Sequence, residues 1–178
     1  MKKLFCLMLV FALTLAAATA LAESATYTDR ANDFTFTYDT DCFEITSEEY
    51  QSEEDDDLVL VLGGKDEAWG QVFIQMSRVA LNPDDEEEVA AFQAAEESLI
   101  SSAGAVKGEW NGFEDVLMYA FDDEDATEQT FVIHVDDDET LSIMVHVDKI
   151  EDEDVAMARD DQISAVLDTL AFIEEPED

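Results

Sequence analysis

Apolar and polar positions alternate with a period of two along much of this chain, most clearly over residues 129–147. There Gln-Thr-Phe-Val-Ile-His-Val leads into Asp-Asp-Asp-Glu-Thr and then Leu-Ser-Ile-Met-Val-His-Val. Two largely β-branched runs around a short acidic turn predict a β-hairpin. Pairing Val135 with Leu141 sorts the side chains. Phe131, Ile133, Val135, Leu141, Ile143, Val145 and Val147 fall on one face, and Thr130, Val132, His134, Ser142, Met144 and His146 on the other. The first face is wholly apolar and has to be buried; the second is mixed.

The same pattern places the other elements. Residues 34–38 alternate strictly as Phe-Thr-Phe-Thr-Tyr and predict a strand, followed by a short one at 42–45 and an acidic loop at 48–57. Five apolar residues, 58–62, fit a strand covered on both faces, and 71–81 a long strand bearing Val72, Phe73, Ile74, Met76 and Val79. Asn82 then offers a cap, Pro83 a first helical position, and residues 84–88 a run of acids at a helix start. Val89, Phe92, Leu99, Ile100 and Ala103 mark one side of that helix, and Gly104 ends it. Residues 106–121 form a second hairpin about Asn111-Gly112, a pair that favours a type I′ turn, and 122–128 an acidic loop. Residues 151–170 predict a second helix with Ala156, Arg159, Ile163, Val166, Leu167 and Leu170 along one side, before an acidic tail at 174–178.

The first 22 residues stand apart. Lys2 and Lys3 precede an apolar run, and Ala20-Leu21-Ala22 supplies small residues before a cut between Ala22 and Glu23, the pattern of a secretory signal peptide. The apolar core is shorter than a spanning helix needs, so no membrane-spanning segment is expected after cleavage. Residues 23–32 read as a flexible leader and 33–173 as one domain, long enough to bury a core. Cys42 is the one cysteine outside the signal segment, so an internal disulfide is excluded, and its place beside Phe43 predicts a buried, inert thiol. The expected location is extracellular or in the cell envelope.

Charge then narrows the classes of partner. Eight basic residues face 46 acids, for a net charge of −38. Nucleic acid and anionic membranes are disfavoured as partners, and a cationic protein or small ligand is favoured. The acids lie in loops, helix starts and the tail, while strand interiors are nearly free of charge. That is a solvated skin over an ordinary core rather than a disordered polyacid.

The order of elements supports a family comparison. An opening Asp33-Phe34-Thr35-Phe36-Thr37-Tyr38 strand and a long strand running into an amphipathic helix come first. An Asn111-Gly112 hairpin, a meander, and a last helix ending Leu170-Ala171-Phe172 follow. This order resembles the PsbP-like fold family, including DcrB-type exported bacterial proteins. A departure lies at residues 39–43, where many relatives carry Pro then Trp and this chain has neither. The resemblance implies an α+β fold in which helices pack on both faces of a central, mainly antiparallel sheet of about seven to eight strands. It also implies binding or accessory roles with no shared catalytic residues. A non-enzymatic binding protein is the leading expectation; a carboxylate-based enzyme, or acidity serving only as adaptation to the surroundings, are the alternatives.

Candidate chemistry is sparse. His134 and His146 share a face roughly 13 Å apart and cannot ligate one metal, and no His-x-x-x-His, Cys-x-x-Cys or Gly-x-Ser-x-Gly occurs. Calcium is the sharper possibility. In a meander, alternate turns share an end of the sheet, which gathers Asp122, Asp123, Asp125, Glu151, Asp152 and Asp154 as oxygen ligands for a hard cation. The competing reading is a solvated rim plus helix-start acids. At the other end, Trp110 and Phe113 flank the Asn111-Gly112 turn, either as a surface for a basic partner or sugar, or folded back onto the sheet.

Overall fold

The computed structural model describes residues 23–29, 34–50, 58–80, 82, 84–135 and 139–173. The expected signal segment at 1–22, residues 51–57 of the expected acidic loop, Pro83, residues 136–138 of the expected hairpin turn and the expected tail at 174–178 lie outside them. The strands are β1 (Ser24–Thr28), β2 (Phe34–Asp39), β3 (Phe43–Tyr50), β4 (Leu58–Gly64), β5 (Val72–Ala80), β6 (Val106–Trp110), β7 (Phe113–Asp122), β8 (Ala126–His134), β9 (Glu139–Asp148) and β10 (Ala171–Phe172). The helices are α1 (Glu86–Ser98), which runs on into a wide turn at Leu99–Ala103, and α2 (Glu153–Leu167); a single 3-10 turn spans Glu67–Trp69. All strand pairs are antiparallel. They form a seven-stranded sheet in the order β3-β4-β5-β9-β8-β7-β6 and a three-stranded sheet in the order β1-β2-β10. The fold is α+β, and among the described residues no helix is long and apolar enough to cross a membrane.

Alternation decides which face of the large sheet is buried. Leu58, Leu60 and Leu62 of β4, Ile74 and Met76 of β5, Ile133 of β8, and Leu141 and Ile143 of β9 all point one way and lose almost all exposure. Phe34 and Phe36 of the small sheet and Ile163, Val166, Leu167 and Leu170 at the end of the chain close over this inner face. The outer face has a smaller apolar patch, where Phe92 and Leu99 pack on Ala105, Leu117 and Val132. No residue of α1 is fully buried. Its polar attachment is Glu96, which holds His134 Nε2 at 2.8 Å and Lys107 Nζ at 3.1 Å.

Several sequence expectations change. The leader is not loose: its residues 24–28 form β1 and lay Tyr27 over Phe36 with ring centroids 5.2 Å apart. The last helix stops at Leu167, and Ala171 and Phe172 pair with β2 as β10. Residues 58–62 are not covered on both faces, because Val59 and Val61 remain half-exposed on the outer one. Asp85 rather than Asn82 caps α1: its Oδ1 accepts from the N–H groups of Glu87 and Glu88, while Asn82 Oδ1 accepts from Asp84 and only begins the turn. Glu48–Tyr50 belong to β3 rather than to a loop, and the loop expected at 122–128 shrinks to 123–125. The β8–β9 register is Ile133 with Leu141, two residues from the predicted pairing. A shift of two preserves the face of every side chain, so the predicted core stands. The turn at Asn111-Gly112 has φ of 50° and 83°, the left-handed pair that type I′ requires.

Two buried arginines join the layers. Arg78 of β5 meets Asp29, just past β1, at 3.5 Å and Glu139 of β9 at 3.9 Å. Arg159 of α2 donates to the carbonyls of Asp148, at 2.6 Å, and Trp69, at 3.4 Å, and so seats the helix on the end of β9. Because the core lies on one face, Ile143→Ala should lower the unfolding free energy by about 2–5 kcal/mol. Val79→Ala on the outer face should change it by less than about 0.5 kcal/mol. Denaturant titration of both variants measures the contrast.

Candidate functional site

The helix α2 does not lie flat on the inner face. Ile163, Val166 and Leu167 turn inward because they share one side of the helix, and Asp152 fixes its start by accepting from the N–H groups of Asp154 and Val155. Between this helix and β8–β9 a cleft of about 320 Å³ remains. Val145, Val147, Ile163 and Leu167 form its apolar walls, and Thr127, Gln129, Arg159, Asp160 and Ser164 its polar ones. Arg159 is fixed on three acceptors: the two carbonyls above and Asp160 Oδ1, 2.9 Å from Nε. Gln129 also lines a second, more open groove of about 300 Å³ with Gly104, Val106, Met118, Ala120 and Phe131. That side chain, on the inner face of the sheet, borders both hollows.

Sequence reasoning missed this cleft, but one signal for it was present. Arg159 is a cation in the middle of an otherwise apolar helical side, and a buried guanidinium needs several acceptors nearby. Thr127, Gln129 and Ser164 carried no such mark. Among the described residues that line the cleft, Asp160 is the carboxylate.

The predicted cation site takes a different form. The turn after β7 and the start of the segment after β9 do share an end of the sheet: Ala126 pairs with Asp148, and Lys149 N–H donates to Asp125 O at 2.7 Å. Lys149 lies among these acids. Its ammonium lies 2.7 Å from Asp122 Oδ1 and also donates to the carbonyl of Asp123. Asp123 Oδ1 accepts from the N–H groups of Asp125 and Ala126, both at 2.8 Å, and Asp152 is spent as a helix cap. Glu151 and Asp154 are exposed. Among the described residues no group of three or more His, Cys, Asp or Glu side chains is placed to hold a metal ion. The Lys149 hydrogen bond, helped by Thr127, holds the Asp122 carboxyl below the usual range, and the two backbone donors do the same for Asp123.

Trp110 and Phe113 are partly buried. Trp110 stacks on Phe131 at 4.3 Å, and Phe113 meets Phe172 edge-on at 5.2 Å, so both fold back onto the core. Asn111 Nδ2 donates to Leu167 O at 2.9 Å and tethers the turn to the end of α2. The histidines have separate duties. His134 meets Glu96 and the edge of Phe92, while His146 stacks on Phe73 at 4.7 Å with Glu128 3.0 Å from Nδ1. Cys42 is half-buried; burial first, then the Asp39 carboxylate, pushes its thiol up, away from the reactive thiolate. Burial and hydrogen bonds with Tyr50 and Glu48 raise the Tyr27 phenol in the same sense.

Replacing Lys149 by Ala should return the Asp122 carboxyl toward an ordinary titration. A carboxyl with a depressed pKa in the folded state contributes stability above its unfolded pKa and loses it as pH falls through the folded one. The wild type should therefore gain from this contact above about pH 4 and lose the gain below it, and the variant, which keeps only the Thr127 hydrogen bond, should show a smaller dependence. Carboxyl-detected NMR titration of Asp122 in both proteins measures it. No protein-family model and no curated protein sequence matches this chain.

Proposed function

We propose that this chain is an exported, non-enzymatic binding protein that takes a small ligand in the cleft between α2 and β8–β9. The observation that carries this reading is the cleft itself: about 320 Å³, walled by Val145, Val147, Ile163 and Leu167, with fixed polar groups at one side. That volume and that mixture suit a small molecule with an apolar body and a few hydrogen-bonding atoms. Gln129, Thr127 and Ser164 offer an amide and two hydroxyls for orientation. The field of a chain with net charge −38 favours neutral or cationic ligands over anions. Export is supported by Lys2, Lys3, the apolar run after them and Ala20-Leu21-Ala22. The order of elements that resembles the PsbP-like family fits an accessory or binding role as well.

Ser164 is exposed on the α2 wall, so Ser164→Trp fills the cleft without entering the core. A library of small neutral and cationic amphiphiles, screened by NMR, should give binders that shift the Gln129 side-chain amide and the Ser164 amide. Ser164→Trp should abolish those shifts and keep the melting temperature near that of the wild type. Binders that act elsewhere, or that bind the variant equally well, would refute the cleft as the ligand site.

A further inference from the structure

The edge of the large sheet beyond β6 is uneven. Val106 opens β6 opposite Met118, so Tyr119, Ala120, Phe121 and Asp122 of β7 pair with β8 on one side and, among the described residues, with no strand on the other. Such a ledge presents unpaired backbone N–H and C=O groups, a template for another strand. The edges at β3, β6 and β10 are blunted. β3 has a register shift between Ile45 and Ser47 and carries Glu44, Glu48 and Glu49. β6 has a shift between Gly108 and Trp110 and carries Lys107 and Glu109. Past the two residues of β10, the Thr37 N–H of β2 donates to Thr169 Oγ1 at 2.8 Å. The β7 ledge has no bulge, proline or lysine and a single charge, Asp122, at its far end: it reads Tyr-Ala-Phe-Asp.

Apolar surface marks the same place. Phe121 is 54% exposed and Val106 59%, on opposite faces of the sheet to either side of the ledge. The open groove lined by Gly104, Val106, Met118, Ala120 and Phe131 runs beside it. We propose that the ledge of β7 receives an extended basic segment of another polypeptide as an added strand. Main-chain pairing would supply affinity, and alternate side chains would settle on the Val106–Met118 groove and against Phe121. Charge selects the occupant. The ledge ends in Asp122-Asp123-Glu124-Asp125, all exposed, while the nearby cations are committed, Lys149 to Asp122 and Lys107 to Glu96. A second copy of this chain would bring another net −38 to the same edge, so a lysine- or arginine-rich partner is the complementary one.

The probe is a short capped peptide of alternating Lys and Val, with two comparators: the same peptide with every backbone amide N-methylated, so that neither strand edge can pair, and a Glu–Val peptide. N-methylation keeps the charge and removes strand pairing, which separates an added strand from attraction to a polyanion. In neighbouring strand residues the N–H groups point to opposite edges, so one of Ala120→Pro and Phe121→Pro removes a ledge donor and leaves the β8 ladder intact. At physiological salt the Lys–Val peptide should shift the amides of residues 119–122. The N-methylated peptide and the proline variant that keeps the wild-type melting curve should each weaken binding by about tenfold or more. Equal binding of the N-methylated peptide, shifts spread over the acidic surface, or tighter binding of the Glu–Val peptide would overturn the proposal. So would sedimentation showing that the protein alone is a dimer lost in the proline variant, since a second copy would then be the occupant.

Discussion

Leu58, Leu60, Leu62, Ile74, Met76, Ile133, Leu141 and Ile143 leave water together when Phe34, Phe36 and the apolar side of α2 close over them. Everything else in the molecule is arranged around that burial, and it has to outweigh unusual self-repulsion, since 46 acids face eight basic residues. Among the described residues the buried strand side chains of the inner face are apolar apart from Arg78. Where inward-facing residues are cationic, each is answered locally: Arg78 by Asp29 and Glu139, and Arg159 by two carbonyls and Asp160. Such buried groups fix geometry more than they add stability, and here they set the small sheet and α2 at defined places on the large one.

The few cations at the surface serve the same end. Lys149 gathers Asp122 and the carbonyl of Asp123, and Lys107 shares Glu96 with His134. The first of these contacts ties the β7–β8 turn to the end of β9. The second holds α1, a helix with no fully buried residue, against the outer face. The inner face is left with a cleft and a groove that share Gln129, and β7 runs past the start of β6 as a ledge.

Much of this architecture was legible in the residues, because period-two alternation survives small errors. The β8–β9 hairpin was expected two residues out of register, yet Phe131, Ile133, Leu141, Ile143 and Val145 still fell on the inner face. Asn111-Gly112 announced its turn because few other pairs accept two left-handed residues. What escaped depends on contacts distant in the chain. Residues 24–28 look like a leader until β2 pairs with them, and Ala171-Phe172 looks like the end of a helix until the same strand takes it up. The acids at 122, 123 and 125 looked like ligands because the sequence gives no sign that Lys149 returns to the same spot. The cleft was hidden for a similar reason: its walls come from β8, β9 and α2, and its one local mark is an arginine on an apolar helical side.

The central claim is that the core lies on one face of the large sheet while α1 is latched to the other by Glu96, Phe92 and Leu99. Native-state hydrogen exchange tests this most directly, because it reports the opening free energy of each amide. The amides of β4, β5 and β9 should exchange only through global unfolding, and their protection should follow denaturant as the whole molecule does. The amides of α1 should exchange through a smaller local opening that depends little on denaturant. Protection of α1 equal to that of β9, lost in the same cooperative step, would contradict the account.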